Sequence, residues 1–291
     1  MSKTRQLLLA DLSLVFITFV WGATFTVVKG ALRDIHPIAF LAFRFTLAAL
    51  IIFPLILSTK RLKTLPVLSG IISGIFLFFG YLAQTVGLQY TTASKSAFIT
   101  GLSVVMVPVF AAVFERKRLT IRVVIAILIA VGGLYLLTNP QTGTFNRGDL
   151  WTLFCALAFA LHIISLEYYT RRVDFVGFYF MQIVTVSVVS LVAYPFESDQ
   201  FFFIPAGITV NVIWALIVTA VFATAIAYFI QNWAQSITTS SRTALILTLE
   251  PLFAALTAYV ILGETLGVTG MIGGILILGA ILLSEIRFQE R

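Results

Sequence analysis

The sequence has few charged residues, a single cysteine and two histidines. Only 11% of its 291 residues are charged, whereas 60% are apolar. About a quarter of the residues in a soluble domain are charged, so this composition does not supply a water-facing surface. One cysteine, Cys155, forms no internal disulfide, and with only two histidines it does not complete a familiar zinc site.

Enzyme motifs are missing as well. The sequence has no Gly-rich phosphate loop with Lys and Ser/Thr, no His-Glu-x-x-His and no Asp-rich metal pair. It therefore predicts no cofactor, no metal and no catalytic residues, and it excludes an ATP-driven pump for this chain alone. The net charge of +7 does not indicate a nucleic-acid partner, because Lys and Arg lie in short loops between apolar runs.

Apolar runs of roughly 18–24 residues recur along the whole chain, and each is long enough to cross about 30 Å of hydrocarbon as a helix. An open sheet has unpaired edges that lipid does not satisfy, and the alternating pattern of a barrel is absent. We therefore predict an all-α integral membrane protein with ten transmembrane helices. The predicted spans are Leu9–Lys29, Pro37–Leu57, Pro66–Leu88, Lys95–Phe114, Ile121–Thr138, Asp149–Thr170, Phe175–Phe196, Val210–Ala234, Ser241–Leu262 and Leu266–Glu285.

The basic residues predict the orientation of the chain. The N-terminus continues directly into the first apolar run, so we expect this run to remain as a helix rather than to be cleaved. Most Lys and Arg residues fall in loops on the same side as the N-terminus, which places both termini in the cytoplasm of a multi-pass protein of the cell (inner, cytoplasmic) membrane. These residues are Lys3, Arg5, Lys60, Arg61, Lys63, Arg116, Lys117, Arg118, Arg122, Arg171, Arg172, Arg242, Arg287 and Arg291.

The sequence contains an internal repeat. Residues Tyr81–Gly101 align with Tyr228–Thr248 at a constant offset of 147, and the match includes Tyr, Gln and Thr-Thr positions that shared hydrophobicity does not explain. Five helices in each half, an odd number, make the second half enter the membrane from the opposite side. We predict inverted repeats at 1–138 and 149–291, joined by 139–148. Such halves can exchange conformations, which is the basis of alternating access.

Several strings resemble a known family. They are Phe19-Val20-Trp21-Gly22-Ala23-Thr24-Phe25 with Lys29, Ala42-Phe43-Arg44-Phe45, Leu249-Glu250-Pro251-Leu252-Phe253 and Leu262-Gly263-Glu264. In this order and spacing the chain resembles two tandem units of the EamA-type members of the drug/metabolite transporter superfamily. The resemblance implies a ten-helix carrier with a central cavity that often exports amino acids or other metabolites. The halves differ where Phe114-Glu115-Arg116-Lys117 replaces Leu262-Gly263-Glu264, and Pro108 does not align with Pro251.

Polar side chains at membrane depth need a partner or a cavity. Tyr81 and Gln84 share one helical face, and Tyr228 and Gln231 share the equivalent face of the repeat. We expect the two faces to converge near the midplane and to line a substrate cavity. The alternative is a role for these groups as hydrogen-bonding glue between helices.

Four more residues are candidates for the same cavity or for charge coupling. Trp21 and Thr24 lie mid-way along the first helix, and His162 takes the place of Thr24 if Phe159 aligns with Trp21. Each has a structural alternative, as a packing residue or a hydrogen-bonded histidine. Glu250, before Pro251, is a candidate for proton coupling or for a structural ion pair.

Arg44 completes the candidate set. It can bind a substrate carboxylate or pair with an acid such as Glu250, but the favoured interpretation is a snorkelling or helix-pinning arginine near the outer interface.

The remaining polar positions are expected to be structural. Lys29, Glu167, Lys95 and Arg242 are interpreted as snorkelling anchors at helix ends. We expect Gln182, Ser187, Thr219 and Thr224 to bond mostly to their own backbone. The Gly132-Gly133 and Gly273-Gly274 pairs predict close helix contacts.

The predicted function is a secondary transporter for small metabolites, with the lipid bilayer as its other partner. The family resemblance implies amino acids or related amphipathic compounds as substrates and export as the direction. A membrane-embedded enzyme acting on lipid-linked substrates is the alternative from another class, and a channel-like facilitator is a further one. Proton coupling remains open, as does the choice between a monomer and a homodimer.

Overall fold

Backbone polar groups in hydrocarbon must be satisfied within the chain, and the apolar runs of this sequence meet that condition as helices. The structure is a computed structural model that describes residues 3–59, 61–114, 120–138, 145–197, 209–238, 243 and 246–285. Every regular element in these ranges is helical. The first half contains α1 (Lys3–Ala31), α2 (Pro37–Ser58), a 3-10 turn (Arg61–Thr64), α3 (Val67–Tyr90), α4 (Ala93–Gly101), α5 (Ser103–Phe114) and α6 (Ile121–Thr138).

The second half follows the same order. It contains α7 (Arg147–Thr170), α8 (Phe175–Glu197), α9 (Val210–Val218), a π-helix (Thr219–Ile226), α10 (Ala227–Ile237), α11 (Glu250–Leu262) and α12 (Gly267–Glu285). In the described ranges, seven spans are long and apolar enough to cross a membrane, and three shorter apolar helices complete the predicted ten.

The outer surface of the bundle is apolar. Leu50 is 64% exposed, Leu68 74%, Leu128 67% and Val260 71%. Exposure of many such side chains to water would be unfavourable, whereas hydrocarbon accepts them. The chain is therefore a multi-pass membrane protein, as predicted. The side of the membrane on which its termini lie stays a prediction.

Short polar signals fix the helix ends. Asn146 accepts from the backbone N–H of Asp149 at 3.0 Å, and Asp149 Oδ2 accepts from the N–H of Asn146 at 3.0 Å, so the two form a capping box that begins α7. Pro37 begins α2, where its missing N–H costs no helical bond. Gly263, with φ of 67°, ends α11 in the left-handed conformation that glycine adopts without strain.

Three spans predicted as continuous helices are interrupted. The fourth breaks at Leu102 between α4 and α5, and the eighth contains the π-helix. In the ninth, Thr248 and Leu249 form a turn before α11 begins at Glu250. Leu102 and Leu249 are equivalent in the repeat, because they are 147 residues apart, so the helices of the two halves break at equivalent points. Discontinuous helices of this kind supply binding sites near the midplane of many carriers.

Helix packing reproduces the repeat. Helices at equivalent positions pack on each other, α2 on α8 and α6 on α12. The other contacts come in matched pairs. The contact of α3 with α7 corresponds to the contact of α10 and the π-helix with α1. The contact of α4 and α5 with α7 corresponds to the contact of α11 with α1. A pseudo-two-fold relation between the halves explains both patterns. The structure does not test the boundaries predicted at 138 and 149.

Several sequence interpretations fall on residues outside the described ranges. These are the basic residues Lys60, Arg116, Lys117, Arg118, Arg242, Arg287 and Arg291, the equivalent position Ser241, and most of the predicted 139–148 joint.

The predicted close approach of glycines is confirmed for α6 and α12. A Cβ added at Gly273 would lie 2.5 Å from the backbone nitrogen of Leu137 and 2.6 Å from the carbonyl oxygen of Gly133. Gly274 meets the ring of Phe98 instead, at 2.9 Å, whereas Gly132 has no neighbour within 4 Å. The contact between these two equivalent helices therefore depends on one backbone-to-backbone crossing.

Gly273→Ala should force α6 and α12 apart and destabilise the fold by about 1–3 kcal/mol, because its methyl group would overlap backbone atoms that do not move away cheaply. The measurement is thermal unfolding of purified protein in detergent. Gly279→Ala is the matched control on α12, since its Cβ would meet nothing within 4 Å. Equal melting temperatures for the two variants would contradict this account of the contact.

Candidate functional site

A cavity lies at the centre of the bundle, where α1, α3, α7, α10 and the two helix breaks meet. Its empty volume is about 640 Å³, including the part open to solvent. The structure brings together eight of the nine predicted site residues on its wall: Trp21, Thr24, Tyr81, Gln84, His162, Tyr228, Gln231 and Glu250. Sequence reasoning missed other wall residues, namely Phe25, Thr100, Gly101, Ser103, Val104, Ile163 and Leu247.

Two tyrosines from the two repeats meet on the cavity wall. The hydroxyl of Tyr228 donates to the hydroxyl oxygen of Tyr81 at 3.0 Å, and both side chains are 4% exposed. These tyrosines occupy equivalent repeat positions, so the pseudo-two-fold axis passes between them. Phe159 and Trp21 extend the aromatic wall on either side, with ring centroids 5.4 Å from Tyr81 and 5.3 Å from Tyr228, respectively.

Arg44 lies behind this wall rather than on it. Its Nε donates to Thr224 Oγ1 at 2.8 Å and its Nη2 to the Tyr81 hydroxyl at 3.1 Å. The side chain is only 3% exposed, so Arg44 does not snorkel, whereas its bonds to two other helices agree with the helix-pinning interpretation. Within the described residues Arg44 also forms no ion pair with Glu250. The expectation that Thr224 bonds only its own backbone is wrong for the same reason.

The π-helix gives the site its backbone acceptors. Trp21 Nε1 donates to the carbonyl oxygen of Ala223 at 2.9 Å, and the hydroxyl of Tyr179 donates to that of Ala225 at 2.6 Å. A wider helical turn leaves carbonyl groups turned away from ideal bonding, so side chains of neighbouring helices can reach them. Such turns are frequent at functional sites. Thr24 does not reach the π-helix, since its hydroxyl donates to the carbonyl oxygen of Trp21 in its own helix at 2.7 Å.

His162 is the end of a polar chain whose direction is fixed by a backbone carbonyl. Asn232 Nδ2 donates to Tyr228 O at 2.8 Å, which turns Asn232 Oδ1 toward the amide nitrogen of Gln182 at 3.1 Å. Gln182 Oε1 then faces His162 Nε2 at 2.8 Å and accepts from it. The proton of the neutral imidazole therefore lies on Nε2, and Nδ1 is left as an acceptor.

The same chain revises what was expected of Gln182, which bonds two side chains rather than chiefly its backbone. Asn232 was missed, although it directly follows Gln231 in an apolar span. Ser187 also bonds outside its helix, to Thr46 at 2.7 Å. Thr219 bonds the carbonyl of Ala215 in its own helix at 2.7 Å, as predicted.

The Glu250 carboxylate and the Gln231 amide oxygen on the cavity wall lack partners among the described residues. Glu250 is half-buried, and no hydrogen bond or ion pair joins its carboxylate to a described residue. Gln231 is 3% exposed, and its Oε1 accepts no hydrogen bond. Further along the same helix face, both amide atoms of Gln235 are buried without a partner. Since unpaired polar groups at membrane depth are costly, those on the wall are suited to a ligand.

One end of the bundle carries a polar cluster that includes Lys29 and Lys95, two residues that the sequence analysis interpreted as snorkelling anchors. Lys95 Nζ forms an ion pair with Asp149 Oδ2 at 2.7 Å, and Thr91 Oγ1 donates to Asp149 Oδ1 at 2.7 Å. Lys29 Nζ donates to the carbonyl oxygen of Thr91 at 2.6 Å. Glu264 accepts from the backbone N–H groups that open α4, at 3.1 Å each. The snorkelling interpretation of Lys29 and Lys95 is therefore wrong.

The opposite end has a related contact. Arg171 Nη2 donates to the carbonyl oxygen of Thr238 at 2.8 Å, as Lys29 does to that of Thr91. Thr91 and Thr238 are equivalent in the repeat, and each is the C-cap of its helix. A cation from the end of the first helix of each half therefore holds the end of its third, where it meets the negative pole of the helix dipole.

Metal-binding clusters of three or more His, Cys, Asp or Glu side chains are absent from the described part of the chain. The described residues thus offer hydrogen-bonding, aromatic and carboxylate groups for a ligand.

Arg44→Met should destabilise the protein by about 1–3 kcal/mol, because it leaves the buried Thr224 hydroxyl without its donor and removes one of the two donors to the Tyr81 hydroxyl. Thermal unfolding in detergent measures the effect. Arg33→Met is the matched control, since Arg33 is exposed at the end of α1. If the two variants melt at the same temperature, Arg44 does not hold the π-helix.

Comparison with known proteins agrees with this architecture. The profile of the EamA-like transporter family matches the chain twice, over residues 8–139 and 146–286. An uncharacterized transporter of Archaeoglobus fulgidus is 38% identical over 280 residues, which cover 96% of this chain and 87% of that protein. The S-adenosylmethionine uptake transporter of Rickettsia felis is 24% identical over 265 residues, or 88% of this chain and 86% of that one.

A solved crystal structure shows the same fold. It superposes with a TM-score of 0.66 at 18% identity and covers 94% of this chain and 95% of its own. At this identity the likeness concerns the fold alone. The two profile matches and the relatives named as transporters, none as an enzyme, lead to one conclusion: the chain belongs to the EamA-like transporter family and is a membrane transporter of small molecules.

Proposed function

We propose that the protein is a secondary carrier that works by alternating access, with its substrate bound in the central cavity between the two repeats. The observation that carries this proposal is the Tyr228–Tyr81 hydrogen bond of 3.0 Å between equivalent positions. A cavity on the pseudo-two-fold axis is shared equally by both halves. An exchange of their conformations then moves its opening from one side of the membrane to the other without moving the site.

The cluster at one end of the bundle is suited to act as a gate. On α4, Lys95 lies five residues, or about 8 Å along the axis, from Thr100 on the cavity wall. On α3, Thr91 lies seven residues, or about 10 Å, from Gln84. The Lys95–Asp149 ion pair therefore joins α4 to α7 between the cavity and that end of the helices, and it must break before the cavity can open there.

Glu250 is the group proposed for proton coupling. The other titratable groups on the wall are His162, Tyr81 and Tyr228, and Arg44 lies behind Tyr81. A carboxylate without a protein partner can exchange a proton for a substrate at each turnover. Lowering the pH protonates it and favours the proton-loaded state.

Amino acids and related amphipathic metabolites suit the combination of an aromatic wall with a few polar groups. Export as the direction of transport rests on the family resemblance and on no residue of this chain. The Rickettsia felis relative is named for uptake. The cytoplasmic membrane as location and the monomer or homodimer state likewise remain proposals.

In liposomes, purified protein should show saturable counterflow of a labelled substrate drawn from a panel of amino acids and amphipathic metabolites. The rate should depend on a pH gradient if a proton is coupled. Gln84→Ala and Gln231→Ala should each weaken apparent affinity about five-fold or more, the value of one hydrogen bond of about 1 kcal/mol. Gln89→Ala, exposed on the same helix as Gln84, is the control. Flux that does not saturate and shows no counterflow indicates a channel instead.

Lys95→Ala should open the end of the bundle that carries the ion pair. The loss of a charge-assisted bond of about 1.5–3 kcal/mol raises the open population roughly ten-fold or more. The reporter is Ser103→Cys in a Cys155→Ala background, labelled in vesicles with a membrane-impermeant maleimide. Lys95 is the better choice because Asp149 also caps α7. Arg33→Ala, which removes an exposed cation, is the control. Equal labelling rates for both variants would contradict the role of the ion pair as a gate.

A further inference from the structure

The acidic and basic residues on the described part of the cavity wall bear on which ligand it can bind. Of the residues that line it, all within the described part of the chain, Glu250 alone is an acid and none is Lys or Arg. His162 donates its Nε2 proton to Gln182. On the described part of the wall, a molecule in the cavity therefore meets one carboxyl group and no Lys or Arg.

Glu250 is held in place by backbone contacts rather than by a partner of its carboxylate. It is the first residue of α11, followed by Pro251, and a Cβ added at Gly22 of α1 would lie 2.8 Å from its carbonyl oxygen. This close crossing fixes the position of Glu250 on the wall. An uncompensated carboxylate is costly in a bundle surrounded by lipid, so it is neutralised either by a proton, as in the proposed coupling, or by a cation that enters the cavity.

Arg44 does not supply that counter-charge. Its Nε and Nη2 are taken by Thr224 and Tyr81, and Nη2 also lies 3.5 Å from the carbonyl oxygen of Ala223. Tyr81 stands on the cavity wall, whereas Arg44 is not on it. A substrate carboxylate entering the cavity thus finds no free guanidinium, which leaves that earlier hypothesis for Arg44 without support.

The rest of the wall favours a cation with an apolar body. Trp21 and Tyr228 pack at 5.3 Å, Tyr81 and Phe159 at 5.4 Å, and aromatic faces attract cations as well as apolar groups. The unpaired Oε1 of Gln231 is a hydrogen-bond acceptor and thus selects a group with N–H donors. A primary ammonium group has three N–H donors, enough to bind both an amide oxygen and a carboxylate.

We propose that Glu250 is the specificity-determining residue of this carrier and that it binds a primary ammonium group of the substrate, whose apolar body lies on the aromatic wall. The substrate class is then small arylalkyl and alkyl amines, in which the ammonium group is required and a carboxylate is dispensable. This inference rests on the proposed function, since it assigns the substrate class of the same cavity.

The test is equilibrium binding to purified full-length protein by calorimetry. Three probes of similar size are compared: phenethylamine with an ammonium group, phenylalanine with an ammonium and a carboxylate, and 3-phenylpropionate with a carboxylate only. Phenethylamine should bind at least as tightly as phenylalanine and about ten-fold or more tighter than 3-phenylpropionate, because a charge-assisted bond is lost in the last case.

Glu250→Gln should weaken phenethylamine binding about ten-fold or more and abolish the preference over 3-phenylpropionate. Glu250→Asp retains the charge and should keep the preference, which separates loss of charge from loss of fold. Asp34→Asn removes an acid on an exposed turn, where it accepts from Thr209, and should leave binding unchanged.

Binding of 3-phenylpropionate as tight as that of the amine would overturn the inference, and so would an unchanged preference in Glu250→Gln or a lack of binding by every probe with an ammonium group. Counterflow distinguishes this failure from that of the carrier. Saturable counterflow of anionic or neutral compounds only retains the carrier and rejects the ammonium site. Amine binding that depends on Glu250 without counterflow retains the site and rejects the carrier.

Discussion

Polar groups inside a membrane bundle must find partners within the protein, because hydrocarbon supplies none. In this transporter the partners are found mostly across helices: Trp21 and Tyr179 bond to carbonyls of the π-helix, and Arg44 bonds to Thr224. These bonds anchor the elements behind the cavity. Two groups that have no partner among the described residues, the Glu250 carboxylate and the Gln231 amide oxygen, lie on the cavity wall, whereas the unpaired amide of Gln235 lies off it.

The breaks in the fourth and ninth spans follow from this division of roles. A continuous helix satisfies its own backbone and presents only side chains, whereas a break at Leu102 or Leu249 brings the start of a new helix to the midplane. Ser103 and Glu250, equivalent in the repeat, are the first residues of α5 and α11, and both line the cavity. The repeat thus delivers matched backbone geometry while the side chains differ. A symmetric scaffold thereby carries an asymmetric charge.

The contacts at the two ends of the bundle also follow the repeat. Lys29 and Arg171 hold equivalent carbonyls, those of Thr91 and Thr238, at opposite ends. These cations cap helices within one half, so they can persist in every conformation. The Lys95–Asp149 ion pair instead joins α4 of the first half to α7 of the second. Under the proposed alternating access, contacts between halves can change when the halves exchange conformations, whereas contacts within a half need not.

The sequence by itself determined the fold class, the ten spans and the repeat, because span length, hydropathy and matched polar residues are local properties of the chain. It also placed Tyr81, Gln84, Tyr228 and Gln231 on two faces that meet, since helical periodicity fixes which side chains share a face. Only the tertiary structure decided the roles of Arg44, Lys29 and Lys95, whose partners lie 37 to 180 residues away along the chain. A charged side chain near a helix end looks the same in sequence whether it snorkels or caps a neighbouring helix, and only the packing of distant helices distinguishes the two.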